Sequence, residues 1–154
     1  MKKTTVPTAL VGIAGVHYVA AELSRRGLIA LPTIRNTAGY DIIVASPDGK
    51  KHANIQVKTS QNRVGFWPMP KPENVRATSK DYYVLVRWIE KERLFEGFML
   101  RGNEAKKEVL ATLARQGDRI SAGTRKVPFP CIHVGGKWGK HGQRWKQQWE
   151  SWSL

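Results

Sequence analysis

The sequence predicts one α/β domain with a mixed central sheet flanked by helices. A helical pattern comes first, two pairs of strand-like segments follow it, and a second helical pattern comes after them. This order is typical of helices packed on a sheet. With 154 residues, of which 41% are hydrophobic, the chain can bury one core but not two.

The first predicted element is an amphipathic helix over residues 7–26, and Gly27 stands where a left-handed residue commonly ends a helix. Its apolar residues recur at helical spacing: Ile13, Val16, Val19, Ala20 and Leu23. Lys2 and Lys3 before an apolar run superficially resemble a signal peptide. Because the apolar pattern continues into this helix, we expect the segment to belong to the folded protein.

Two strands joined by a turn at residues 46–49 are predicted next, over residues 40–45 and 53–58. The second strand alternates, so that Asn54, Gln56 and Lys58 share the face opposite the core. The second pair is expected over residues 82–88 and 94–100. A helix that begins near Asn103 and ends at Gly117 should follow, and residues 63–75 should form an irregular loop.

The sequence divides at residue 117, with a core domain over residues 1–117 and a basic, Trp-rich extension over residues 118–154 packed on it. Four tryptophans in the extension are spaced 7, 4 and 3 residues apart, as on one helical stripe: Trp138, Trp145, Trp149 and Trp152. Such a stripe usually docks on its own domain or on a second copy in a homodimer, and base stacking is the alternative.

The charge balance favours a polyanionic partner, because 26 Lys and Arg stand against 12 Asp and Glu, a formal net charge of +14. Nucleic acid and an anionic membrane surface are such partners, and a basic protein without such a partner is also compatible with charge alone. No acid occurs between Arg119 and Trp149. The candidate nucleic-acid contacts in and near this stretch are Lys126, Lys137, Lys140, Arg144 and Lys146.

A single cysteine, Cys131, excludes an internal disulfide and fits a reducing, cytoplasmic setting. No apolar run reaches the roughly 20 residues that span a bilayer, so no membrane partner is expected.

Three polar residues on the first strand pair form a candidate catalytic site. Asp41, Gln56 and Lys58 lie where two adjacent strands could bring them together. Phosphodiester hydrolysis needs oxygen ligands for a hard cation and a cationic group near the scissile phosphate. Asp41, the Gln56 side-chain oxygen and the Val57 carbonyl would hold Mg²⁺ or Mn²⁺, and Lys58 would supply the cationic group.

Gly39-Tyr-Asp41, thirteen further residues and then Ile55-Gln-Val-Lys-Thr59 resemble the D…(E/Q)xK core of PD-(D/E)XK nucleases. The similarity is greatest to the Holliday-junction-resolvase and restriction-endonuclease-like branch, and to bacterial members with G-E-x-x-V-x-x-E-L-x-x-R-G and Q-V-K-T. It covers residues 12–61 by motif and residues 82–113 by element order. The resemblance implies a restriction-endonuclease-like fold, a DNA substrate and a divalent cation.

The sequence departs from that family at Val16, which stands where the helix usually carries an acid, and at the neutral Gln56. Glu22 lies about 120° around the helix from Val16, so we expect it to be solvated or salt-bridged. His17 is more often structural in such a position. Three hypotheses remain: a metal-dependent endonuclease, a non-catalytic DNA-binding module, or an interaction module that docks through the tryptophans.

Overall fold

The computed structural model describes residues 6–34, 39–61, 65–89, 91–123, 127–135 and 141–154. The elements follow one another along the chain in this order: α1 (Thr8–Arg25), β1 (Ile29–Pro32), β2 (Ile42–Ala45), β3 (His52–Ser60), β4 (Phe66–Pro68), a 3₁₀ turn (Pro72–Asn74), β5 (Asp81–Ile89), β6 (Leu94–Arg101), α2 (Gly102–Ser121), β7 (Cys131–His133) and α3 (Gly142–Ser151).

The five-stranded sheet has the order β1-β2-β3-β5-β6. Its only parallel neighbours among the described strands are β3 and β5, which pair from Asn54 with Asp81 to Ser60 with Arg87. The other neighbours are antiparallel. The predicted mixed sheet flanked by helices is therefore confirmed, and the two predicted strand pairs are β2–β3 and β5–β6.

Helix α1 covers one face of the sheet. Its buried residues Val19, Ala20 and Leu23 pack on alternate residues of the strands, such as Ile55 and Val84. The backbone ends the helix as predicted, because Gly27 has φ of +81°, which a residue without Cβ adopts at no steric cost.

The opposite face carries α2 and a two-stranded ribbon of β4 and β7. The ribbon replaces part of the predicted loop, and Trp67 holds it by donating its Nε1–H to the Val86 carbonyl at 3.0 Å. Helix α2 continues past the predicted stop at Gly117, which is helical here. One turn before the helix ends, the Gln116 side chain bonds both backbone groups of Phe129, which ties this part of the helix to the chain that follows.

Helix α3 packs against β6 and joins the two cores. Trp145 belongs to the cluster under α2, whereas Trp149 belongs to the cluster under α1. The Trp149 indole lies against Gly97, where a Cβ would come within 2.5 Å of its Nε1. Arg26, at the end of α1, stacks on the Trp149 ring and donates to its carbonyl. These rings are used within the chain's own core, so they do not support the interaction-module hypothesis.

The predicted division of the chain at residue 117 falls inside α2, and it stays a prediction. Trp138 lies outside the described residues. Within the described ranges, no helix combines the length and the hydropathy needed to cross a membrane.

Candidate active site

Asp41 immediately precedes β2, and its backbone is hydrogen-bonded to β3 and to the residue that follows β1. Its backbone N–H donates to the Ile55 carbonyl at 2.9 Å, and its carbonyl accepts from the Thr33 N–H at 2.9 Å. Its carboxylate Oδ2 accepts from the Val57 N–H at 2.7 Å and from the Gln56 side-chain amide. The carboxylate is thus fixed beside the middle of β3.

The electrostatic surroundings of Asp41 leave its negative charge only partly compensated. Burial raises the pKa of Asp41 above its ordinary value, although the Val57 N–H, the charge of Lys58 and the Gln56 amide all act to lower it. Oδ1 receives no hydrogen bond from the described residues. A cation placed beside this carboxylate would therefore be bound favourably.

Gln56 and Lys58 point to the same side of β3, because they are two residues apart, while Val57 between them is buried. All three line an open cleft of about 510 Å³ together with Asp41. The structure therefore brings the predicted catalytic residues together in one concavity. Gln56 donates to Asp41 through its amide nitrogen, and its role as a metal ligand, like that of the Val57 carbonyl, stays a prediction.

The other wall of the cleft is the first half of α1, including Gly12, Val16 and His17. The helix approaches β3 closely at Gly15, where a Cβ would lie 1.8 Å from Oγ1 of Thr59. This contact fixes Val16 beside the strand that carries Lys58. At Val16 this wall carries an apolar side chain and no acid.

Glu22 does not enter the cleft. It pairs with Arg25 at 3.0 Å and with Arg26 at 3.4 Å, as expected for a salt-bridged helix residue. The prediction for Glu22 is confirmed.

The predicted metal ligands would bind a hard cation only weakly. Carboxylate, amide and carbonyl oxygens are the ligands that Mg²⁺ and Mn²⁺ prefer. However, the described residues contain no group of three or more His, Cys, Asp or Glu that could hold a metal ion. Asp41 would be the one charged ligand among the predicted set.

A smaller cavity of about 210 Å³ adjoins the cleft, and Gln56 and Lys58 line both. Sequence reasoning missed its main feature, Arg76, whose guanidinium stacks on Tyr40 at 4.5 Å and donates to the Tyr40 hydroxyl at 2.9 Å. Asn74 and Gln56 also line this cavity. The only signal in the sequence was a basic residue in a loop that precedes a strand.

Among the candidate nucleic-acid contacts of the tail, Lys126, Lys137 and Lys140 lie outside the described residues. Arg144 pairs with Glu104 at 2.8 Å, and Lys146 pairs with Glu96 at 2.8 Å. Their role in binding DNA stays a prediction, and both also tie α3 to neighbouring elements.

A separate cavity of about 140 Å³ lies between α2 and β7. Cys131 Sγ and His133 Nε2 approach to 3.5 Å there, which resembles a nucleophile and base pair. Cys131 is only 2% exposed and lies on the strand that pairs with β4. We assign this pair to the packing of the ribbon.

A mixed five-stranded sheet with helices on both faces defines an α/β fold. Among solved structures, the chain is similar to a bacterial homing endonuclease, I-Ssp6803I, with a TM-score of 0.51 and 13% sequence identity. The similarity covers 95% of this chain and 91% of that chain. It concerns the fold. No protein-family model and no curated protein matches the sequence.

Proposed function

We propose that the chain is a divalent-metal-dependent DNA endonuclease of the PD-(D/E)XK superfamily, in the Holliday-junction-resolvase and restriction-endonuclease-like branch and similar to bacterial members with a QVKT motif. The observation that carries this proposal is the convergence of Asp41, Gln56 and Lys58 in one cleft. The likeness to a homing endonuclease, together with the net charge of +14, supports DNA as the substrate. A cytoplasmic location and a homodimer are compatible with the proposal.

The residues take distinct roles in this proposal. Asp41, the Gln56 side-chain oxygen and the Val57 carbonyl would hold Mg²⁺ or Mn²⁺, and a bound cation would supply Lewis-acid polarisation of a phosphoryl oxygen. Lys58 orients the attacking water and offsets the charge that develops on the phosphate. The two hydrogen bonds to Asp41 Oδ2 keep its carboxylate in place before substrate binds.

A second candidate is a non-catalytic DNA-binding module on the same fold. It is favoured by Val16 in the cleft wall and by the neutral Gln56, which leave one formal negative charge to attract a cation. In this alternative, Lys58 and the basic surface bind phosphates and no bond is cleaved.

Asp41→Asn tests both candidates, because it keeps the shape of the side chain and removes its charge. We expect nicking of supercoiled plasmid in Mn²⁺ to fall by at least about 100-fold, whereas affinity for duplex DNA in EDTA should stay equal or rise. Asp48→Asn, in the exposed turn before β3, is the matched control. Wild-type protein that binds DNA but never nicks it would favour the second candidate. Affinity that is absent at low salt would exclude both.

A further inference from the structure

The wall that α1 contributes to the main cleft is apolar, and the roles assigned above make no use of it. Ala9, Ile13 and Val16 line this wall, and no lysine or arginine from the described part of α1 does so. Ile13 keeps 39% of its surface exposed. Phosphate oxygens are bound by hydrogen-bond donors and cations, so this wall does not suit a phosphate. It suits an apolar surface of a ligand.

Tyr40 adds an aromatic ring to the same cleft. The Arg76 guanidinium stacks on this ring at 4.5 Å and donates to its hydroxyl at 2.9 Å. Arg76 lines the neighbouring cavity, whereas Tyr40 lines the cleft. The guanidinium therefore covers one face of the ring and holds the ring in place at the boundary between the two.

The backbone around Tyr40 fits this arrangement. Gly39 has φ of +99°, a left-handed conformation that favours glycine, and a Cβ there would overlap the Arg76 guanidinium. On the other side, the Thr33 hydroxyl donates to the Tyr40 carbonyl at 2.6 Å. Because Gly39, Tyr40 and Asp41 are consecutive, one short segment places both the ring and the candidate catalytic carboxylate.

The cleft is large enough for a nucleotide. Its volume of about 510 Å³ lies within the range of roughly 300–1,000 Å³ that is typical of small-molecule sites. The bases of a duplex stack on one another, so only an unpaired or extruded base can offer its face to a protein ring. An aromatic ring and an apolar wall beside the candidate catalytic residues therefore fit an unpaired base better than a paired one.

We propose that the cleft takes an unpaired nucleotide next to the scissile phosphate, with its base between the Tyr40 ring and the apolar wall of α1. Stacking on an aromatic ring accepts every base, because each base has a π face. The substrate class is then DNA with an unpaired nucleotide beside the bond that is cut. The inference rests on the proposed nuclease function and deepens it by naming this substrate class.

The experiment compares three DNA ligands that differ at one position: a duplex with one bulged nucleotide, the same duplex with an abasic bulge, and the fully paired duplex. Their affinities are measured by fluorescence anisotropy at low salt in EDTA, so that nothing is cleaved. We expect the wild type to bind the bulged base roughly tenfold more tightly than the abasic bulge, because the backbones are the same and only the base can stack.

Variants of Tyr40 test the ring itself. Tyr40→Leu keeps an apolar side chain without a ring, so it should bind the bulged base and the abasic bulge about equally. Tyr40→Phe loses only the hydroxyl and should retain the preference. Phe129→Leu is the matched control, since it removes a ring that is 39% exposed and lies against Phe66, outside the cleft. The ratio of two affinities of one variant does not depend on its folded fraction, so a structural defect alone would not change it.

The possible failures are distinguishable. Equal wild-type affinity for the bulged base and the abasic bulge would overturn the base site and leave the proposed function intact. An unchanged preference in Tyr40→Leu would also overturn the base site. A wild type without affinity for any of the three ligands would overturn the proposed function as well. If light scattering showed that Ile13→Ser converts a dimer to a monomer, the apolar wall would be an interface between copies and the inference would fail.

Discussion

Val16→Glu should create the helix carboxylate that the cleft lacks. Val16 is half-buried in the cleft wall and packs at the margin of the core under α1. Because full burial of a valine contributes about 1.5–3 kcal/mol, loss of this partial burial should cost about 1 kcal/mol. The cost of placing a charge in this half-buried position brings the total to about 1–2 kcal/mol, or about 2–8 °C in Tm for a chain of this size.

A cation should reverse part of that loss if the new carboxylate faces Asp41. At a Mn²⁺ concentration ten times the dissociation constant, linkage adds about 1.4 kcal/mol, or about 3–6 °C. The assay is a thermal melt of wild type and variant with and without Mn²⁺, joined to a nicking assay on supercoiled plasmid. Nicking should rise, and Asp41→Ala in the same background should abolish both effects.

Leu10→Glu is the control, since it adds a carboxylate to an exposed position of the same helix. The reasoning would be refuted if Val16→Glu lost equal stability with and without Mn²⁺, because Val16 would then not face a metal site. Wild-type nicking as fast as that of the variant would show that no helix acid is needed.

Two further changes test the packing around the site. Gly15→Ala should cost at least about 2 kcal/mol in urea unfolding, because its Cβ would overlap Thr59, whereas Gly12→Ala on the same helix has open space and should stabilise by about 0.5–1 kcal/mol. Glu96→Gln should cost about 2 kcal/mol at pH 7, since it leaves Arg87 and Lys146 unpaired. Burial acts to raise the pKa of Glu96, but hydrogen bonds from Lys146 and Arg87 outweigh it and hold that pKa below its ordinary value of 4.5. The stabilisation is therefore complete above about pH 4.5 and is lost as pH falls through the lower folded pKa, so the difference between wild type and Glu96→Gln should shrink in acid.

The sequence predicts the local parts of the site well, because they follow from short periods. The two-residue repeat of β3 places Gln56 and Lys58 on one side, and the short turn between β2 and β3 returns the chain so that Asp41 lies beside them. The helical repeat of α1 likewise predicts that Val19, Ala20 and Leu23 face the sheet, whereas Ile13 of the same predicted stripe is exposed. The contacts of Asp41 with Ile55, Gln56 and Val57 lie within this hairpin, whereas its bond from the Thr33 N–H depends on the position of β1.

Other features depend on contacts between distant segments, which a local pattern does not encode. The parallel pairing of β3 with β5 requires a crossover of some twenty residues. The strands β4 and β7 of the ribbon have three residues each, which is too few to show a recognisable alternation in the sequence, and Trp67 holds the ribbon in place. Arg76 reaches the site only because Tyr83 and Gly102 fix its backbone. Helix α2 also continues through Gly117 rather than ending there, and the neighbouring Gln116 bonds to Phe129, which lies further along the chain.

The packing of α3 on β6 has a consequence for solubility. The outermost strand of an open sheet offers unpaired N–H and C=O groups to any other chain, which is a common route to aggregation. Helix α3 covers β6, and both Trp149 over Gly97 and the pair of Lys146 with Glu96 hold it there. At the other margin, β1 has four residues and ends in Pro32, which cannot donate a ladder hydrogen bond. Mutations that loosen α3 should therefore appear first as self-association of the protein, before the central strands unfold.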